Sequence, residues 1–447
     1  MLNTNILSLK AKSEDSYGKK FWLMMGAFYA LFIIRNIINL QFPVPLYLAW
    51  VIVMALSFDD NEIKALVLSF SPLSPGFQFK YAIFICVAVL IVRNYKQLKA
   101  NHAFLVGVML MAWEFLHFGI GSPSFTEFIR GFAELIFIMI IMCIPTKRKG
   151  NIEQLTRALA ISSTVAFIIL LFMTVEGRGE TIMELLRRGF RFGVSEKTEE
   201  TFTFNYNANA LGFMCNIAIA GLFINIHNKT AKIIDYLMLA FCIFIGLLTV
   251  SRTFLICLLI SVVAYVLLQQ KSLGKKIAVI AGLLAAIGVL LLVISNFFPE
   301  IIENYTVRFG DEDVTGGRSY LFEFYNKFIF SSPDRLLFGI GIQNIAEKAS
   351  SIMGEVVQVP HNGYQQLVVA WGIPGFVLMV LFVYQIIKKA SRSNPNPLLI
   401  GYLPFLILMI NILAGQFVTV GSKILALVLI YEILSNPDLG IEEKISE

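Results

Sequence analysis

The sequence has few charged residues and no closely spaced cysteines. Charged residues make up 15% of the 447 positions, hydrophobic residues make up 57%, and the mean hydropathy is +0.74. A soluble domain carries about 25% charged residues, so this composition excludes an ordinary soluble protein. The cysteines all lie in apolar runs and none belongs to a CxxC pair, which is typical of small core residues rather than of a disulfide or a metal site. They are Cys86, Cys143, Cys215, Cys242 and Cys257.

Long apolar runs fill most of the chain. A transmembrane helix needs about 20 mostly apolar residues, because backbone polar groups in lipid must bond within their own segment. We therefore predict an all-α polytopic membrane protein with about 12–14 transmembrane helices and a large extracytoplasmic loop that contains short helices. Three regions are predicted: an N-terminal transmembrane bundle over residues 1–297 with an external loop near 176–206, the large extracytoplasmic loop over 298–362, and C-terminal transmembrane helices with a cytoplasmic tail over 363–447.

The basic residues predict the orientation of the chain. Short loops rich in Lys and Arg fall on alternate connections, so all of them can lie in the cytoplasm, as the positive-inside rule expects. These loops contain Arg93/Lys96/Lys99, Lys147/Arg148/Lys149, Lys229/Lys232, Lys271/Lys275/Lys276 and Lys388/Lys389/Arg392. The two long polar loops then lie outside. The net charge of +6 is explained by this pattern, and no nucleic-acid partner is expected.

His361 and Asn362 stand just before an apolar run, at the predicted outer mouth of the bundle. An unperturbed histidine has a pKa of about 6.5 and can accept a proton from a sugar hydroxyl at physiological pH. Asn362 could orient the histidine or a substrate. The alternative is that Pro360-His361-Asn362-Gly363 is only a turn that enters a helix.

Two arginines are candidates for binding an anion at the same side of the membrane. Arg252 follows Ser251 at an outer helix junction, and Arg318 begins an amphipathic helix after Gly316-Gly317. Arginine stays charged and makes forked bonds to phosphate oxygens, and a helix N-terminus favours anions. Arg252 could equally be an interface anchor, and Arg318 could be a surface charge.

The first external loop holds Arg191 in a short segment, Met183 to Phe192, that is apolar on one side and basic on the other. That pattern is typical of an interfacial helix in contact with lipid headgroups, and contact with a diphosphate is the alternative. Asp311-Glu312-Asp313 and Gly339-Ile340-Gly341 lack the strand and helix context of nucleotide-binding motifs. We find no metal constellation and expect no cofactor.

Several motifs occur in an order that resembles a known family. They are Asn205-Tyr206-Asn207-Ala208-Asn209, Thr249-Val250-Ser251-Arg252, Gly317-Arg318-Ser319, Leu337-Phe338-Gly339-Ile340-Gly341, His361-Asn362-Gly363-Tyr364 and Trp371-Gly372-Ile373-Pro374-Gly375. Over roughly Asn205 to Leu381 the chain is similar to the bacterial O-antigen ligase and polysaccharide polymerase superfamily. The N-terminal half shares with that family only its run of apolar helices.

The resemblance implies a metal-independent, inverting glycosyltransferase in the bacterial cytoplasmic (inner) membrane, with its active site facing the periplasm or cell exterior. It would transfer glycan from undecaprenyl diphosphate to a hydroxyl of an acceptor glycan, with a chain-length regulator as a possible partner. The resemblance implies His361 as the base or as a residue that positions the acceptor. It implies Arg252, Arg318 and Arg191 as diphosphate ligands, and Asn362 and Tyr364 as supporting residues. Fixed guanidinium groups would stabilise the charge on the leaving diphosphate.

The acceptor distinguishes the members of this family. We favour an O-antigen or capsule polymerase, which extends a lipid-linked chain, over an O-antigen ligase, which transfers glycan to lipid A-core in lipopolysaccharide biosynthesis. A polysaccharide-lipid flippase is a further alternative. It would place functional charges near the bilayer midplane between symmetric halves, whereas the candidate residues lie on the predicted outer side.

Overall fold

The computed structural model describes residues 2–38, 40, 42–73, 79–117, 125–144, 151–179, 181–189, 208–269, short pieces between 274 and 297, 299–310, 318–417 and 421–439. Helices make up nearly all of this part of the chain, and it contains no β-strand. The predicted all-α class is therefore confirmed.

The helices of the first half begin with one long segment and continue as shorter ones. They are α1 (Leu2–Ile37), α2 (Val44–Ser57), α3 (Asp60–Leu73), α4 (Phe79–Asn94), α5 (His102–Phe115), α6 (Phe125–Gly131), α7 (Ala133–Cys143), α8 (Ile152–Arg178) and α9 (Ile182–Arg188). Helix α3 continues through Pro72 into its last turn and is buried over most of its length.

The second half supplies the helices that surround the candidate site. They are α10 (Ala208–His227), α11 (Ile233–Leu248), α12 (Arg252–Gln269), α13 (Pro299–Gly310), α14 (Arg318–Phe330), α15 (Pro333–Phe338), α16 (Ile345–Met353), α17 (Gly363–Ser393), α18 (Leu403–Leu413) and α19 (Gly421–Ser435). The short helices α13 to α16 lie in the segment predicted as the large extracytoplasmic loop.

Four segments are long and apolar enough to span a membrane: Gly18–Ile37, Ile152–Val175, Asn209–His227 and Gly363–Ser393. Shorter apolar stretches of 10–17 residues accompany them and overlap α2, α5, α7, α11, α12 and α18. The chain is thus a polytopic membrane protein. The larger number of crossings predicted from the sequence stays a prediction.

Buried ion pairs join helices that are far apart in sequence. Lys64 Nζ of α3 lies 2.6 Å from Glu432 Oε1 of α19, and Arg157 Nη2 of α8 lies 2.6 Å from Asp235 Oδ2 of α11. A buried charge is costly without a partner of opposite sign. In each pair the positive and negative charges neutralise each other inside the protein. None of these four residues lines the cavity described below.

The glycine motifs predicted to mark the family interlock through their backbones. Ile340 N–H donates to Val369 O at 3.0 Å and Gly341 N–H donates to Ala370 O at 2.7 Å, so the segment after α15 pairs with the middle of α17. Gly372 interrupts α17 with a φ of +64°, and a Cβ there would lie 2.2 Å from Leu337 O. The close approach of the two backbones explains why glycine stands at these positions. The Gly339-Ile340-Gly341 motif is therefore explained without a nucleotide-binding loop.

Glu114 of α5 accepts hydrogen bonds from both of the paired segments. Its carboxylate accepts the Trp371 indole N–H at 2.6 Å and the Ile342 N–H at 3.0 Å. His117 Nε2 lies 2.9 Å from Phe338 O. Glu114 and His117 thus bind the indole and backbone of the glycine motifs.

Substituting Gly372 with Ala is expected to destabilise the folded protein by about 2–3 kcal/mol or more, because the new Cβ would require positive φ and displace Leu337. The measurement is the thermal unfolding of the purified protein in detergent. Gly354→Ala is the matched control, since Gly354 has a φ of +74° but nothing within 4 Å of its Cβ position. Equal losses in the two variants would contradict the close approach as the cause.

Candidate functional site

A cavity of about 490 Å³ lies between α12, α14, the start of α17 and the end of α18. Four of the predicted site residues line it together: Arg252, Arg318, His361 and Asn362. The other lining residues are Asn209, Thr253, Ile256, Ser319, Leu321, Phe322, Glu323, Gln365, Leu413 and Ala414. Residues that are up to 205 positions apart in the sequence therefore meet at one site.

Arg252 enters the cavity from a strained helix junction. Val250, between α11 and α12, has a φ of +48° and is fully buried, a conformation that a β-branched residue rarely adopts. Ser251 Oγ accepts the Phe254 N–H at 3.3 Å at the start of α12 and donates to Asn209 Oδ1 at 2.8 Å. The Asn and Ser-Arg motifs noted in the sequence are thus in direct contact, and the junction places Arg252 beside the cavity.

Arg318 begins α14, as predicted from the amphipathic pattern. Its Nη1 donates to Ala414 O at 2.8 Å, at the carboxyl end of α18. Burial lowers the pKa of the guanidinium, and the nearby charge of Arg252 lowers it further. Two cations held at one wall repel each other, which an anion between or beside them would relieve.

His361 lies before α17 and is half-buried. Burial lowers the pKa of its imidazole, and the positive charge of Arg318 acts in the same direction. Its ring makes no hydrogen bond to any residue within the described ranges. A neutral imidazole at physiological pH is what proton acceptance requires.

Asn362 is the N-cap of α17, because its Oδ1 accepts the N–H groups of Tyr364 and Gln365 at 3.0 and 3.1 Å. The alternative interpretation of Asn362, a helix entry, therefore holds alongside its place in the cavity lining. Tyr364 does not line the cavity, and its hydroxyl lies 3.4 Å from Met409 Sδ. Substrate contact by Tyr364 would need a ligand that extends beyond this cavity.

Two adjacent glutamines that sequence reasoning missed connect the walls of the cavity. Gln365 Nε2 donates to Phe322 O at 2.8 Å and to Asn326 Oδ1 at 3.0 Å, which joins α17 to α14. Gln366 Oε1 accepts the Phe417 N–H at 2.8 Å, which joins α17 to the segment after α18. The signal in the sequence was two polar residues within the first turn of the apolar run that forms α17.

Glu323 was also missed, and it is the one carboxylate among the described residues that line the cavity. It lies on the same face of α14 as Arg318, Ser319 and Phe322. An exposed glutamate on an amphipathic helix carries no signal of function in sequence, because such residues are common on solvated faces. Only the fold brings it into the lining with His361.

Arg191 and the acidic run Asp311-Glu312-Asp313 lie outside the described residues, so their places relative to the cavity stay predictions. Among the residues that are described, no group of three or more His, Cys, Asp or Glu side chains is arranged to hold a metal ion. Arg252 and Arg318 are the arginines in the described part of the cavity lining.

The comparison with protein families agrees with the motifs. Residues 237–380 match the family model described as O-antigen ligase. This stretch includes Arg252, Arg318 and His361 and the interlocked glycine motifs. No curated protein matches the chain. The resemblance to the O-antigen ligase and polysaccharide polymerase superfamily is thus confirmed over this part of the chain.

Proposed function

We propose that the protein is a polysaccharide polymerase that joins lipid-linked glycans at the outer face of the bacterial inner membrane. The observation that carries the proposal is the meeting of Arg252, Arg318 and His361 in one cavity beside an apolar wall. The arginines supply charge for a diphosphate, and the histidine supplies a base. An O-antigen ligase would use the same groups with a different acceptor.

The proposed reaction is a single displacement at the anomeric carbon of the donor glycan. His361 takes the proton of the acceptor hydroxyl as the hydroxyl oxygen attacks that carbon. The bond from the carbon to the diphosphate oxygen breaks, and its electron pair leaves on undecaprenyl diphosphate. Arg252 and Arg318 stabilise this developing charge, and attack opposite to the leaving group inverts the anomeric centre.

A strain that lacks this protein tests the function when it is complemented with the wild-type chain. Surface polysaccharide and lipid-linked intermediates would be separated on a gel. Accumulation of single repeat units on lipid or core supports the polymerase, whereas full-length chains left on undecaprenyl diphosphate indicate a ligase. Repeat units held on the cytoplasmic face indicate a flippase, and unchanged polysaccharide contradicts all three functions.

Glu323 provides a test of which lining residue is the base. The proposed base is His361, so Glu323→Gln is expected to keep transfer within about tenfold of wild type, because it removes a charge but not the proton acceptor. Transfer between purified lipid-linked glycans is the measurement. A loss in Glu323→Gln as deep as that in His361→Ala would assign the base role to the carboxylate instead.

A further inference from the structure

Two residues of the cavity lining, Glu323 and Gln365, carry hydrogen-bond acceptors that no described residue uses. Glu323 is exposed on α14, and its carboxylate makes no hydrogen bond or ion pair within the described part of the chain. Gln365 is only 7% exposed and is held in place. Its Nε2 donates to Phe322 O and Asn326 Oδ1, so Gln365 is fixed beside the turn of α14 that carries Glu323.

The side-chain amide of Gln365 has a defined orientation. A backbone carbonyl can only accept hydrogen bonds, so the amide atom that lies 2.8 Å from Phe322 O is the nitrogen. The other amide atom, Oε1, accepts no hydrogen bond from a described residue. This oxygen is also absent from the described polar atoms that are both unpartnered and fully shielded. It is therefore open to the cavity that Gln365 lines.

The open groups at this part of the cavity define the chemistry of a ligand. A carboxylate and an amide oxygen are acceptors only, so the ligand must bring hydrogen-bond donors. An ionised diphosphate brings none, and Glu323 would repel it, whereas a sugar brings several hydroxyl groups. Phe322, which is 48% exposed in the same lining, adds an aromatic surface on which the apolar side of a sugar ring can pack.

The position of Glu323 along α14 indicates which sugar binds there. Glu323 is five residues after Arg318, a distance of about 7.5 Å along a helix that rises about 1.5 Å per residue. In the proposed displacement the acceptor hydroxyl attacks the anomeric carbon from the side opposite to the diphosphate, so the acceptor lies away from Arg318. His361, the proposed base, is four residues before Gln365 and lines the same cavity.

Resting on the proposed function, we infer that Glu323, Gln365 and Phe322 form the subsite for the terminal sugar of the acceptor glycan. The Glu323 carboxylate and Gln365 Oε1 accept hydrogen bonds from two hydroxyl groups of that sugar, and its ring packs on Phe322. These contacts hold the sugar so that a further hydroxyl reaches His361. The three residues bind the acceptor and take no part in the transfer of the proton.

The test measures transfer by the purified full-length protein from undecaprenyl-diphosphate-linked repeat units to the same repeat-unit oligosaccharide, released from its lipid by mild acid. The free oligosaccharide has no diphosphate and serves only as acceptor, and its water-soluble product is counted. Glu323→Ala is expected to raise the KM for the oligosaccharide about tenfold, because a hydrogen bond to a charged group is lost. The kcat and the KM for the lipid-linked donor should stay within about twofold of wild type.

Matched variants separate the acceptor contact from other effects. Glu323→Gln keeps one acceptor oxygen and is expected to raise the KM for the oligosaccharide about threefold. Glu347→Ala removes an exposed carboxylate of α16 outside the lining and should change it less than twofold. Gln365→Ala is expected to raise it about fivefold, whereas Asn326→Ala removes one anchor, keeps Gln365 Oε1 and should stay within about twofold.

An unchanged KM for the oligosaccharide in Glu323→Ala, or an equal rise for donor and oligosaccharide, overturns this subsite and leaves the proposed function standing. The same holds if wild-type protein joins lipid-linked repeat units but never uses the free oligosaccharide, because a subsite for the terminal sugar needs only the sugars. Wild-type protein that joins no lipid-linked repeat units at all would instead contradict the proposed function, and the subsite with it.

Discussion

Replacing His361 with Ala is expected to reduce glycan transfer by about 10²–10⁴-fold, because general-base catalysis contributes in that range. The folded protein should persist, since the imidazole makes no hydrogen bond to the described part of the chain. Transfer by purified protein is measured with lipid-linked donor and acceptor, beside the amount of protein inserted in the membrane. His102→Ala is the matched control, because His102 is exposed at the start of α5 and away from the cavity.

The pH dependence of transfer gives a second measure of this role. The neutral imidazole is the active form, and burial together with Arg318 lowers its pKa. Activity is therefore expected at and above neutral pH and lost as the pH falls through a value below about 6.5, the ordinary histidine pKa. Substantial transfer by His361→Ala, or a wild-type rate that does not fall in acid, would remove His361 from the base role.

Arg318→Met is expected to lower transfer by about 10²–10³-fold, the range seen when one fixed group that stabilises developing charge is removed. The loss combines a missing guanidinium at the diphosphate with the missing hydrogen bond to Ala414 O, 2.8 Å long in the wild type. Arg318→Lys keeps the positive charge but cannot make the paired hydrogen bonds of a guanidinium group. We therefore expect it to restore transfer only in part. Binding of undecaprenyl diphosphate and transfer rate are measured on the same preparations.

The residual activity of Arg318→Met should also show a shifted pH profile. Without the positive charge of Arg318, the pKa of His361 rises toward its ordinary value, although burial still lowers it. The acid loss of activity is therefore expected at a higher pH than in the wild type. Lys327→Met, on the exposed face of the same helix, is the control and should change neither rate nor profile. An unshifted profile in Arg318→Met would contradict the electrostatic contact between the two residues.

The sequence motifs predicted which residues line the site, but they did not reveal what each residue does in the structure. Arg252, Arg318, His361 and Asn362 were predicted separately and line one cavity. Asn362 proved to be an N-cap as well, and the Leu337–Gly341 and Trp371–Gly375 motifs proved to be a backbone interlock. Residue type and spacing indicate that a position is constrained. They do not indicate the reason, because an asparagine or a glycine can cap a helix, allow two backbones to approach closely or bind a ligand.

Glu323, Gln365 and Lys423 show what sequence reasoning could not reach. Glu323 is an ordinary glutamate on an amphipathic helix, and its place in the cavity depends on how α14 packs beside α17. Lys423 stands in an apolar run of the sequence, but its acceptor at Asn411 O comes from another helix. Partners of this kind are decided by helix packing, which local patterns do not encode.

The sequence by itself determined that this is an all-α membrane protein. Apolar runs can satisfy their backbone groups in lipid only as helices, and this rule acts within each segment. It also indicated the arginines and the histidine, because their chemistry belongs to single residues. Only the tertiary structure decided that residues from α12, α14, α17 and the end of α18 meet in one cavity. Contacts between distant segments depend on the packing of whole helices, so no single stretch of sequence specifies them.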